Sequence, residues 1–310
     1  MQIMPNFSRE TTPMLFCSRH WDGESYLLHI YSSVVFFCVI LTITATLGNS
    51  LILFALHKDK SLHPPSKLLL RCLTVTDLCV GVIGQPTAIT LLLSAINENW
   101  KLCRVAKYLA YVTTTISSGV SLATLTAISV DRLLALLLGL RYRQVVTVKR
   151  VRTIIILFWL KSSAVGILYV WDMTAYFITS AVLVMLQVII STYSYARIFR
   201  TIRRQQTQVQ DTLGGQSGSI SPNMARYKKT VINALWVHLT LATCYLPFAV
   251  VMTVAARRGL DSSLFLAEDV AVNFVYLNSS LNPILYCWKI KEVRQAVKET
   301  LRQFWACLST

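Results

Sequence analysis

Few residues in this chain combine a reactive type with a setting that gives it meaning, and most of them interrupt long apolar runs. Asp77 is the only charge between Cys72 and Asn97, and a carboxylate carried that deep into an apolar run is expensive and marks a functional position. Ser121, Asn278, Ser279 and Asn282 offer oxygens at a similar depth from two other runs, and Asn49 adds an amide from a further one. Together they can hold a small hydrated cation, with Asp77 as the metal ligand, or a water-filled polar network without a specific ion. Asp131-Arg132 closes the run that begins at Tyr108, while Asn282-Pro283 breaks the run before Tyr286. Catalytic chemistry has no comparable signature: nothing resembles a nucleophile motif or a phosphate-cradling glycine loop. His20, His29, His57, His63 and His238 are scattered and form no metal set. The expectation is a protein that is not an enzyme and carries no cofactor.

The elements that must position these groups are membrane helices. Of 310 residues, 54% are hydrophobic and 14% charged, where a globular domain carries about 25% charged residues. Leu27 to His57, Tyr108 to Val130, Met173 to Ala196 and Thr230 to Ala256 contain no Asp, Glu, Lys or Arg. Each exceeds the roughly 20 residues that cross a hydrocarbon core of about 30 Å. The segment near Val151 to Tyr169 is weaker because it holds Arg152 and Lys161. The spacing predicts an all-α fold, a seven-transmembrane helix bundle with spans at 27–57, 67–95, 104–136, 150–170, 174–202, 225–256 and 263–288. An extracellular segment, 1–26, precedes it. The tail, 289–310, is cytoplasmic: Ile290, Val293, Val297, Leu301 and Phe304 recur at three- and four-residue steps, predicting a short amphipathic eighth helix in the interface plane. The link Gln205 to Asn223, with its Gly and Ser, reads as flexible.

The formal charge of +16 suggests nucleic acid until position is considered. Most Lys and Arg fall in the loops and tail of one side, among them Lys58, Arg141, Arg143, Lys149, Arg203, Lys228 and Lys229. That is the positive-inside bias, and it places the N-terminus outside and the tail in the cytoplasm of a multi-pass plasma-membrane protein, with lipid and not nucleic acid as its surroundings. Asn6-Phe7-Ser8 is a glycosylation sequon on the outer segment, and Cys307 can take a palmitate or stay a free membrane-proximal thiol.

Several short motifs, each in its own span, carry a resemblance. They are Gly48-Asn49-Ser50, Leu73 to Leu78, Asp131-Arg132-Leu133, Leu140 to Arg143, Trp159, Cys244-Tyr245-Leu246-Pro247 and Asn282 to Tyr286. In order and depth the chain resembles a rhodopsin-like (class A) G-protein-coupled receptor over nearly its whole length. The resemblance implies an extracellular ligand and a heterotrimeric G protein as partners, with arrestin and a receptor kinase as further ones. It implies an allosteric sodium ion at Asp77, with Asn49, Ser121, Asn278, Ser279 and Asn282 around it. It assigns Arg132 to the G-protein interface, with Asp131 as its resting neighbour and Tyr195 and Tyr286 closing around it on activation. Pro247 and Pro283 become hinges, and Tyr245 stands where a tryptophan is usual. The inner end of span six, Ala225 to Lys229, has no acid to hold Arg132. The resting lock is therefore loose, or Asp131 alone suffices.

Departures from the family pattern bear on the ligand. Cys103 lies one turn before the usual cysteine of span three, where Lys107 stands, and Tyr169 to Tyr176 has no cysteine to meet it. Cys17 and Cys103 can pair with each other, or remain two free thiols. Gln187 replaces the usual proline of span five. The second outer loop, Tyr169 to Thr174, is minimal. All three features are similar to those of melanocortin receptors, the first two also to those of lipid-sensing relatives, and the tail from Tyr286 resembles those of adenosine and melanocortin receptors. Thr114 occupies the position of the amine-receptor aspartate and Tyr276 that of the retinal lysine, which disfavours amine and retinal ligands. The resemblance lines the pocket with Tyr111, Thr114, Thr115, Ser118, Phe248, Met252, Val272 and Tyr276, with Glu268 and Asp269 at the outer rim. A lipid, a small neutral molecule or a peptide fits that list. A seven-helix channel or transporter, or a non-signalling decoy receptor, is the alternative.

Overall fold

The computed structural model describes residue 17 and residues 25–58, 62–212, 222–259, 262–289 and 291–308. The described chain is helical from end to end: α1 (Ser25–Lys58), α2 (Pro64–Ile96), α3 (Trp100–Leu138), α4 (Val148–Trp171), α5 (Met173–Thr212), α6 (Pro222–Arg258), α7 (Ser262–Lys289) and α8 (Lys291–Leu308). The links owe their shortness to local chemistry. Pro64 and Pro65 begin α2, where a missing N–H costs nothing. Asn99 caps α3 by accepting from the Leu102 N–H at 3.2 Å, and Asp172 accepts from the Ala175 N–H at 3.0 Å as α4 gives way to α5. Inside α2, Val80–Gly84 forms a π-helical turn just before Pro86, which has no N–H to offer.

Exposure is inverted relative to a soluble protein. Phe36, Leu160, Val250 and Ile284 are each at least 60% exposed, whereas Asn49, Asp77, Thr74 and Ser121 are fully buried. Six helices among the described residues are long and apolar enough to cross a membrane. The seventh, α7, falls short of that apolarity because Asn273, Asn278 and Asn282 dilute it, and all three are buried against the bundle rather than turned to lipid. The multi-pass topology follows. Helix α3 is central and packs on α2, α4 and α5, while α7 lies between α1 and α6. Several helix contacts depend on glycine, among them that of Gly81 in α2, where a Cβ would stand 2.8 Å from Thr46 Oγ1 of α1. A Cβ on Gly119 would stand 2.9 Å from Ser162 Oγ, and one on Gly48 would stand 2.9 Å from Pro283 Cγ. Missing side chains bring α3 to α4 and α1 to α7, as small residues do where helices pack in lipid.

One boundary differs clearly from the sequence reading. Helix α5 continues to Thr212, into the segment read as a flexible link, because Arg203 to Thr212 is rich in helix-tolerant Arg and Gln and lacks Gly and Pro. Residues 213–221 of that link lie outside the described residues. The tail forms α8, whose Val293, Ala296 and Val297 bury one face against Ile52, Ala55 and Leu56 of α1. Asn6 lies outside the described residues, as does the side chain of Cys307.

Candidate functional site

The sequence-selected residues gather at three depths. Nearest the outer end, α3 to α7 line a narrow cavity of about 110 Å³. Tyr111, Thr114, Thr115, Ser118, Phe248, Glu268, Val272 and Tyr276 all line it, and Tyr245 and Leu122 mark its deep end. Met252 does not reach it. Its side chain is fully buried in the outer hydrophobic cluster with Ala255 and Phe265. Thr114 and Tyr276 share a hydrogen bond of 2.8 Å, as do Thr115 and Tyr176.

At the mouth, the Tyr111 hydroxyl donates to Glu268 Oε2 at 2.6 Å, and the Tyr111 ring stacks on Tyr169 with centroids 4.3 Å apart. Tyr176 meets Tyr169 edge-on at 5.2 Å. Glu268 therefore does not sit at an open rim: it is 3% exposed. Lys107, also buried, places its ammonium 4.7 Å from the Phe265 ring centroid and acts electrostatically on both Glu268 and Asp269. This compensation is what lets two acids turn inward. Glu268 Oε1 and Asp269 Oδ2 remain buried without a hydrogen-bond partner among the described residues. Cys17 and Cys103 form a disulfide that fastens residue 17 to the outer end of α3.

At mid-depth, Asp77 is fully buried and accepts three hydrogen bonds. Ser121 and Ser279 donate to Oδ1 at 2.8 and 2.9 Å, and Asn282 donates to Oδ2 at 2.6 Å. Asn49 belongs to a neighbouring arrangement: its amide donates to the carbonyls of Ala45 (2.8 Å) and Ser279 (3.0 Å), not to Asp77. Asn49 Oδ1, Asn278 Nδ2 and the Tyr245 and Tyr286 hydroxyls are buried with no partner among the described residues. The donor set fits sodium. One carboxylate and two hydroxyl oxygens from α2, α3 and α7 are hard ligands of low total charge. No group of three or more acids, histidines or cysteines that would suit a more highly charged or softer ion occurs among the described residues.

At the inner end, Asp131 is 5% exposed and its two oxygens accept from Tyr142 (2.6 Å) and Ser66 (3.0 Å). Arg132 is exposed beside it. Tyr195 packs with Leu133, Ile198 and Ile202, while Tyr286 belongs to a different cluster with Leu73 and Val293. Pro247 and Pro283 lie inside α6 and α7. The side chains of Ala225 to Lys229 are outside the described residues.

Several cavity residues were not selected from the sequence: Lys161, Ser162, Val165, Tyr176 and Gln187 among them. For Lys161 the signal was present, the only charge between Arg152 and Asp172. For the tyrosines it was not, because their meeting depends on helices that the sequence does not orient.

Comparison with known proteins adds the context. Residues 48–174 and 168–286 match the family described as 7 transmembrane receptor (rhodopsin family). The chain is similar to adenosine receptor A3 of Ovis aries, 25% identical over 283 residues covering 83% of this chain and 86% of that receptor. It is likewise similar to adenosine receptor A3 of Canis lupus familiaris, 24% identical over 298 residues (88% and 91%). Melanocortin receptor 5 of Homo sapiens is 24% identical over 277 residues, covering 84% of this chain and 82% of that receptor.

Proposed function

The chain belongs to the rhodopsin family of seven-transmembrane receptors, and from that premise we propose that it converts ligand occupancy of the α3–α7 cavity into activation of a heterotrimeric G protein. The observation that carries the reading is at the inner end. Both oxygens of Asp131 are engaged by neutral donors, Tyr142 and Ser66, and Arg132 is left exposed. An arginine that need not first be released from its neighbouring acid is already available to a protein partner, so the resting state is weakly locked. Tyr245 at the deep end of the cavity and the Asp77 cluster below it join the two ends of the bundle. Asp77, Ser121 and Ser279 would hold a sodium ion there, and the ion would supply positive charge that neutralises Asp77 and tightens α2, α3 and α7 about it.

A channel is less well supported. Asp77 and the Glu268–Asp269 pair belong to separate layers, with the stacked tyrosines at the outer one. A decoy receptor has no need of the intact Asp131-Arg132 pair. The reading is tested with G-protein dissociation sensors in cells without added ligand. Basal dissociation is expected for the wild type and is expected to disappear in Arg132→Ala at matched surface expression. Equal signals from both proteins would overturn the role given to Arg132.

A further inference from the structure

Lys161 sits in the middle of α4 and has no part in the machinery described above. At 1.5 Å per residue it lies about 15 Å from Trp171 and about 20 Å from Val148, too deep for its stem to carry the ammonium to either interface. Among the described residues no hydrogen bond or ion pair reaches it, and no carboxylate lies close enough to act on it. It lines the cavity together with Ser162, Ser118 and Gln187. Ser162 is 2% exposed and Ser118 6%. Their hydroxyl oxygens, and Gln187 Oε1, are buried without a partner among the described residues. Gly119 keeps this wall tight by letting α3 approach Ser162. An unpaired ammonium beside two unpartnered hydroxyls is the complement of an anion with several acceptor oxygens. An intramembrane charge without a protein partner calls for one from elsewhere.

The route of entry narrows the ligand further. At the outer end stand the Tyr111–Tyr169 stack and the Tyr111–Glu268 hydrogen bond, and the buried cation there, Lys107, already acts on Glu268 and Asp269, so among the described residues this end offers an anion no free buried cation. Between α4 and α5, Lys161, Leu183 and Gln187 are only partly buried, and the adjoining Leu160 and Leu186 are exposed on the lipid side. We propose that the cavity takes a long-chain carboxylate from the bilayer, entering between α4 and α5. Its carboxylate pairs with Lys161 and accepts from Ser162 and Ser118, its first methylenes lie against Val165 and Val184, and the rest of the chain, too long for a cavity of about 110 Å³, stays between α4 and α5 in lipid. This rests on the receptor reading above and adds the chemical class of the ligand to it.

The test is direct binding of tritiated oleate to the full chain in nanodiscs of neutral phosphatidylcholine, with protein-free discs subtracted. Saturable binding is expected, weaker by about thirtyfold or more in Lys161→Gln, the loss typical of removing one partner of a buried charge pair, and largely restored in Lys161→Arg. Unlabelled oleate should compete, and methyl oleate and octanoate should not. Equal affinity of wild type and Lys161→Gln, with both monodisperse and equally folded by circular dichroism, would overturn the proposal, as would equal competition by methyl oleate. Equal competition by octanoate would overturn the bilayer source. An absence of saturable binding would sink the ligand class while leaving coupling through Arg132 as measured separately.

Discussion

Replacing Asp77 by asparagine should change the sign of a stability difference according to the salt present. The carboxylate now accepts from Ser121, Ser279 and Asn282. An asparagine can keep its oxygen toward Asn282 and turn its amide toward the two serine hydroxyls, which rotate to accept. Each hydrogen bond then falls from the charged range of about 1.5–3 kcal/mol to the neutral range of about 0.5–1.5 kcal/mol, a loss of about 3–4.5 kcal/mol over three bonds. Removing a fully buried charge recovers a desolvation cost of several kcal/mol. Without sodium, Asp77→Asn should therefore be as stable as the wild type or slightly more so. With sodium at ten times its dissociation constant the wild type gains about 1.4 kcal/mol, or about 3–5 °C in melting temperature at the scaling of a chain somewhat smaller than this one. The assay is a thermal melt of purified wild type and Asp77→Asn in sodium chloride against choline chloride. Sodium should raise the wild type alone. An equal shift in both proteins, or none in the wild type, would refute the cation site and leave a water-filled network around Asp77.

Other consequences follow from single contacts. Gly119→Ala places a Cβ 2.9 Å from Ser162 Oγ and should cost about 1–3 kcal/mol as overpacking, read as a lower melting temperature. Adding Ser162→Ala should recover part of that loss, and strictly additive effects would show that the two side chains do not meet. Cys17→Ser and Cys103→Ser should each leave one thiol that reacts with an impermeant maleimide on intact cells, whereas the wild type stays unlabelled there. Losses of stability in the two single variants should match each other and that of the double variant.

Apolar runs such as Leu27 to His57 located the helices because lipid imposes both their length and their composition. The motifs at Asp77, Asp131-Arg132 and Asn282-Pro283 were legible for the same reason: polar groups stand out where apolar ones are required. Helix rotation was not legible. Hydropathy cannot say which side of α4 meets α5, so Lys161 read as a flaw in a span and not as part of a cavity wall. Burial that depends on distant partners was equally hidden. Glu268 turns inward because Tyr111, 157 residues away, donates to it, with Lys107 close by. Met252 was placed in the cavity by family position, but Ala255 and Phe265 enclose it first. The engagement of Asp131 by Tyr142 and Ser66 joins the short helical turn Tyr142–Val145 to the start of α2, and no periodicity reports it.

The most direct measurement of the central claim is nucleotide exchange on purified G proteins of each class, catalysed by the chain in nanodiscs. Wild type, Arg132→Ala and empty discs would be compared without ligand. The wild type should accelerate exchange on at least one class, and Arg132→Ala should fall to the level of empty discs. Acceleration by Arg132→Ala equal to that of the wild type, or none by the wild type on any class, would contradict the claim that an exposed, weakly held Arg132 couples this bundle to a G protein.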